Sequence, residues 1–482
     1  MGAVIENKLR EIDLLVTADH FLTMEGDGVG YRYRGALAVD KGTIVAVGSR
    51  ANITARYISR QHLDYGSNLV MPGLIDAHTH LKLSLLRGLA QDVSNWMMDG
   101  LSPFLSSAPA DPEGLSVKLG LLEAVRAGTT TFSEFSPDLD IVGEIFKKVG
   151  IRGVLTAFIR EAVHRRYRPG ELYIYDPALG EQSLEDACST FDEWNGEADG
   201  RLMVYFGPQG ADFAGKDLLA RAKAEAIKRG AKLHMHVQQG DRETNQLMMR
   251  YGKRPIQWLA DIGYLDDQLI AVHLTDADEE EAEKVAVSGA SMVVCSGSIG
   301  IIDGIVPPAL AFQRAGGIVG LGSDQAPGNN CHNMWNEMKL TALFNKIRYH
   351  DPEAMPAWRV LRMATIEGAR ALGIGSVTGS LEAGKRADFI VVDLSKPALQ
   401  PVHLSPMRNI VPNLVYSARG DEVVTVVVDG QIVMENGKVR GIDKEHVLRE
   451  VRVWSQNLAS ASARSFSTLD GPNQRYMLDQ KL

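Results

Sequence analysis

A chain of 482 residues with 45% hydrophobic and 23% charged residues has the composition of a globular protein and the length for a barrel-sized domain with a smaller companion. Its formal net charge of -9 and pI near 5.8 leave no cationic surplus to neutralise phosphates, which argues against nucleic acid and anionic membranes as partners. No apolar stretch is as long as a membrane span, and Met1 to Glu6 runs into charge instead of a signal-peptide core, so a cytoplasmic location is expected.

From Asp13 to Ser49, short β-rich runs (Asp13 to Val16, Gly35 to Val39, Thr43 to Val47) alternate with Gly- and Asp-containing turns, the pattern of a small antiparallel sheet. The pattern returns at Asp388 to Asp393 and Glu422 to Gly430. One β-sandwich assembled from both chain ends is expected, residues 1–68 and 376–445, with 446–482 a C-terminal helix and a polar tail that wraps a surface or a partner subunit. Between them, over 69–375, apolar runs alternate with helical periods. Val70 to His80 reads as the opening buried strand, followed by Thr129 to Phe132, Gly153 to Ile159, Leu202 to Pro208, Lys232 to Val237, Leu269 to Leu274, Ser291 to Cys295 and Gly317 to Asp324. Eight βα units predict a distorted (β/α)8 barrel of TIM type; no Gly-x-Gly-x-x-Gly follows the first strand, as a doubly wound nucleotide-binding sheet would require. Cys188, Cys295 and Cys331 are few, odd in number and far apart, and read as reduced thiols.

His78 and His80 stand two residues apart on a strand, so their imidazoles face the same way. His236, His273 and Asp324 also end apolar strands, and in a barrel the carboxyl ends of the strands surround one cavity. Imidazole and carboxylate donors suit Zn²⁺, with iron or manganese not separable by donor type, and such a site turns water into a nucleophile near neutral pH. Asp324 is positioned to bind metal and accept a proton, and His273 to orient or deprotonate water and steady a developing oxyanion.

Pro72-Gly73-Leu74-Ile75-Asp76-Ala77-His78-Thr79-His80, Gly128 to Thr131, His234-Met235-His236, His273-Leu274, Gly322-Ser323-Asp324 and Gly379 to Asp388 together resemble the amidohydrolase superfamily. Within it the chain resembles the branch of adenosine- and S-adenosylhomocysteine-type deaminases, guanine-type deaminases and triazine hydrolases. The resemblance implies one divalent metal, zinc first, on His78, His80, His236 and Asp324, with His273 catalytic, His234 supporting, and a homodimer or larger oligomer. No lysine ends the fourth strand, as a bridged binuclear site would need. Where the branch carries a proton-shuttling glutamate, three residues after the fifth-strand ligand, this chain has Gln239, and a neutral amide cannot carry that proton.

Trp96 is expected to wall the pocket, Gln209 and Gln239 to meet the edge of a heteroaromatic ring, and Ser296, Ser298 and Asp303 to lie near substrate along with His273. The expected activity is metal-dependent hydrolysis of a carbon-nitrogen bond in a small nitrogen-rich ring (purine, pyrimidine, pterin or triazine), most simply a deamination. The competing expectations are a hydrolase with a different leaving group, because of Gln239, or a metal-holding barrel that only binds.

Overall fold

The structure is a computed structural model, described over residues 9–482 apart from 169, 468 and 470. Eight parallel strands run in sequence order around a barrel: Leu74–Thr79, Thr129–Ser136, Arg152–Ile159, Leu202–Pro208, Leu233–Val237, Leu269–His273, Ser291–Val294 and Val319–Leu321. Nearly every residue of these strands is buried, as continuous apolar strands covered by helices require. The first and last strands meet just beyond their ends, where Asp324 N donates to His78 O at 2.8 Å and His80 N to Asp324 O at 3.0 Å. A Cβ on Gly322 would lie 2.8 Å from His78 O, so this approach requires glycine.

Val70 to His80 is not one strand. Leu69–Pro72 belongs to a second sheet, and the chain crosses to the barrel at Gly73, where a Cβ would lie 2.1 Å from Thr130 Oγ1. The second sheet has nine strands, ordered Lys438–Val439, Gln431–Glu435, Val423–Val428, Phe389–Val392, Leu69–Pro72, Arg10–Leu22, Tyr31–Asp40 and Thr43–Ser49, with Tyr57–Asp64 also paired to Arg10–Leu22. The two chain ends therefore join through hydrogen bonds as one continuous mixed sheet, and Leu14, Leu37 and Ile44 share a core with Val70, Val391 and Val427.

Arg152, buried in the third barrel strand, ties the two units: it donates to Asp388 at 2.8 and 3.2 Å and to Asp429 at 2.6 Å. The C-terminal segment is helical well past Ala459, over Lys444–Phe466 and again over Pro472–Leu478. Trp454, Leu458 and Leu469 pack with Leu86, Ala90, Trp96, Leu101 and Phe104, so the segment expected to be a polar tail braces the loop after the first barrel strand. Among the described residues no helix is long and apolar enough to cross a membrane.

Candidate active site

The barrel brings His78, His80, His236, His273 and Asp324 together. Ligating atoms of His78, His80 and His236, and of His78, His273 and Asp324, lie within 4.8 Å of one another. Asp324 Oδ1 stands 3.6 Å from His78 Nε2 and 3.4 Å from His80 Nε2.

Each of three imidazoles has its Nδ1 committed elsewhere. His80 donates to Phe135 O at 2.5 Å and His236 to Gln209 O at 2.7 Å; a carbonyl only accepts, so these Nδ1 atoms carry the proton and the Nε2 lone pairs face the cluster. His78 Nδ1 lies 3.0 Å from His234 Nε2, and His234 Nδ1 lies 3.1 Å from Ser133 Oγ. His78 Nε2 is buried with no hydrogen-bond partner. An orphaned buried nitrogen, two further outward-committed rings and a facing carboxylate fit a divalent cation, which would satisfy all four groups at once. Burial, followed by the neighbouring imidazoles, holds His78 and His236 well below the ordinary histidine value and His234 down to about 3, so these rings are neutral at pH 7 and their lone pairs are available.

His273 is fully buried, stacked on His236 with ring centroids 5.4 Å apart, and neither ring nitrogen has a partner. Its φ is 77° and that of Asp324 is 60°, a left-handed region that costs non-glycine residues energy and that persists where surroundings enforce it. Asp324 Oδ2 accepts from Ser298 Oγ and from Gln325 Nε2 at 3.3 Å.

Beside the cluster opens a cavity of about 390 Å³. His80, His236, Asp324, Trp96, Gln209 and Gln239 line it, and Gln209 Oε1 is buried without a partner. The cavity wall otherwise comes largely from aromatic and apolar side chains, Phe135, Phe158, Tyr167, Tyr173 and Phe213 among them.

Four residues expected near substrate, Ser296, Ser298, Asp303 and His273, lie outside the cavity lining. Ser298 does not line the cavity; the segment after the seventh strand folds into the helix Ser296–Ile302, which puts Ser298 behind Asp324, and Ser296 bonds Thr341 Oγ1 at 2.7 Å. Asp303, which follows that helix, is likewise outside the lining, and so is His273. Glu243 lies in the helix Gly240–Tyr251, fully buried, its Oε2 accepting from Gln239 N at 3.0 Å. It holds the backbone of Gln239 and does not itself line the cavity.

Sequence reasoning missed Arg160 and Arg242, which line the cavity. Arg160 directly follows the third barrel strand, a position that a barrel reading places on the same face as the histidines. Arg242 gave no such signal, because its direction depends on how the helix Gly240–Tyr251 docks.

A parallel barrel that closes on three imidazoles and a carboxylate, beside a deep aromatic cavity, defines a metal-dependent barrel hydrolase. The chain belongs to the amidohydrolase family, which it matches over residues 69–433. It is 32% identical over 453 residues to a 5'-deoxyadenosine deaminase of Methanosarcina acetivorans, covering 93% of this chain and 99% of that protein. It is 34% identical over 395 residues to a 5-methylthioadenosine/S-adenosylhomocysteine deaminase of Caldanaerobacter subterraneus subsp. tengcongensis, covering 81% of this chain and 87% of that protein. Among solved structures, a zinc-bound adenosine deaminase from Xanthomonas campestris superposes with a TM-score of 0.85 at 28% identity, over 94% of this chain and 100% of that one. An atrazine chlorohydrolase from Arthrobacter aurescens shares the fold, with a TM-score of 0.77 at 21% identity over 92% of this chain and 100% of that one.

Proposed function

We propose that the protein hydrolyses a carbon-nitrogen bond of a small nitrogen-rich ring, releasing ammonia, with one divalent ion, zinc first, held by His78, His80, His236 and Asp324. The observation that carries this reading is the commitment of three Nδ1 atoms away from the cluster, which leaves three Nε2 positions facing one carboxylate at the mouth of a ring-sized cavity. The aligned relatives named as deaminases support ammonia as the leaving group. Bound there, the ion would supply Lewis acidity that makes water a nucleophile near neutral pH.

The chain's own groups do the rest. His273, uncharged and without a hydrogen-bond partner, takes a proton from the attacking water at a free ring nitrogen, and the resulting imidazolium is steadied by the Asp324 carboxylate. It returns that proton to the departing nitrogen. Gln209 and Gln239 hold the ring edge through amide donors and acceptors. Gln239 transfers no proton, so proton movement falls to His273 and Asp324. Trp96 and Phe135 exclude bulk water, which strengthens each polar contact.

The test is incubation of zinc-loaded protein with aminopurines, aminopteridines and amino-triazines while ammonia and ring absorbance are followed. Sustained ammonia release is the expected result. Gln239 favours a second reading, a hydrolase with another leaving group, which the same assay detects as an absorbance change without ammonia. Turnover of nothing by the parent, with activity appearing in Gln239→Glu, would assign the protein to ligand binding instead.

A further inference from the structure

A second concave space lies apart from the active-site cavity and shares no lining residue with it. It is a cleft of about 860 Å³ bordered by the helix Leu115–Ala124, the strand Val423–Val428 of the mixed sheet and the start of the C-terminal helix Lys444–Phe466. The chain as a whole has a net charge of -9, yet five cations line this cleft, Arg87, Arg126, Lys396, Arg419 and Lys444, against two carboxylates, Glu123 and Asp421. Leu119, Leu122, Val423 and Leu448 add apolar wall.

Arg87 pairs with Glu123 and donates to Asn330 O at 2.8 Å. The side chains of Arg126, Lys396, Arg419 and Lys444 make no hydrogen bond or ion pair with any of the described residues. All four are exposed, and water keeps a single exposed cation at little cost. Four around one concavity are different, because walls of low dielectric focus a field of one sign and concentrate anions in it. Two helices, Met334–Tyr349 and Lys444–Phe466, also begin at the cleft, at Asn333 and Lys444, and a helix start favours negative charge. Guanidinium forks match phosphate oxygens in pairs, with ammonium groups as added point charges.

The cleft also reaches the active site through the chain. Gly88 N donates to Asn330 Oδ1 at 3.0 Å, and Gln91 Nε2 donates to Asn330 Oδ1 at 2.8 Å and to Pro327 O at 2.6 Å. The turn that carries Arg87 therefore holds the segment running from Asp324 to Asn333, and Asn333 itself lines the cleft. An anion that competes with Glu123 for Arg87 loosens that hold.

We propose that this cleft is a second binding site, for an oligophosphate, free or carried by a nucleoside, and that its occupancy is felt in the segment 325–333 beside the active site. Neither part depends on which reaction the active site performs.

The test titrates tripolyphosphate, adenosine triphosphate and adenosine calorimetrically into the zinc-loaded protein, with zinc content measured before and after so that metal extraction is not read as binding. Both phosphates are expected to bind at one site per chain, and adenosine to leave tripolyphosphate binding unchanged. Arg126→Glu with Arg419→Glu should weaken tripolyphosphate by about tenfold to a hundredfold, the range for losing charge-assisted hydrogen bonds. Lys216→Glu with Lys339→Glu, the same change of charge at exposed positions outside the cleft, should leave its affinity in place. A nucleotide that binds more tightly than tripolyphosphate makes the apolar wall the seat of the base, and equal binding marks a site for phosphate alone. Backbone hydrogen exchange over 325–333 should quicken when tripolyphosphate is added to the parent, and not in the Arg126 and Arg419 double variant. Failure of both phosphates to bind, or equal weakening by the two double variants, overturns the site; binding with unchanged exchange over 325–333 overturns its link to the active site.

Discussion

At the scale of single residues, the site depends on atoms that never touch the ion they prepare for. His234 is fully buried between His78 and Ser133, and it fixes which nitrogen of His78 carries the proton. Removing it in His234→Leu should weaken metal affinity by about 10- to 100-fold, the usual cost of losing such a partner, as read by titration against a competing chelator. His236→Ala removes a donor outright and should leave protein without stoichiometric zinc by elemental analysis after dialysis. Ser298 belongs to the same supporting set as His234, since it donates to Asp324 Oδ2.

At the scale of elements, the site is made where strands end and loops are braced. The first and eighth barrel strands meet through backbone bonds of His78, His80 and Asp324, so seam and candidate ligand set are one feature. Gly322→Ala would place a methyl 2.9 Å from His78 N and 2.8 Å from His78 O. A loss of about 1–3 kcal/mol is expected from such overpacking, seen as a lower midpoint in urea, together with a lower zinc content. On the other wall, the helix Lys444–Phe466 places Trp454 in the same apolar cluster as Trp96. Trp454 is buried, and Trp454→Ala should cost about 3–5 kcal/mol if the packing does not collapse around it. Ligand binding should weaken as the Trp96 loop loosens, checked by calorimetry with a ring compound that the parent binds.

At the scale of the whole molecule, the barrel and the mixed sheet are joined by a buried ionic network. Arg152 reaches Asp388 and Asp429, and Arg386 donates to Asp429 at 2.7 Å. Burial alone would raise the Asp429 carboxyl, but the Arg386 hydrogen bond and the Arg152 charge outweigh it and hold the group below its ordinary value. A carboxyl depressed in the folded state adds stability that is fully present above its unfolded pKa, about 4, and is lost as pH falls through the folded value. Asp429→Asn should therefore destabilise the protein at pH 7 by about 3–5 kcal/mol, because it strips a partner from the buried Arg152. The gap in melting temperature between parent and variant should narrow as the pH drops below about 4, which thermal denaturation at a series of pH values would show.

The barrel, the shared sheet and the set of histidines with Asp324 were legible because each rests on a local pattern: continuous apolar strands separated by helical periods, paired histidines at period two, glycines at a close approach. Contact between distant segments governs the rest. Whether Ser298 faces substrate or carries Asp324 depends on how Ser296–Ile302 docks. The apolar cluster shared by Trp96 and the C-terminal helix joins residues far apart in the chain. Strand period and strand order are short-range properties, and they suffice to say which side chains reach the carboxyl end of the barrel. Which of those side chains are already partnered emerges from the folded chain alone, because pairing is fixed by distances that no local pattern encodes; it is there that Gln209 Oε1 is left buried without a partner at the cavity wall.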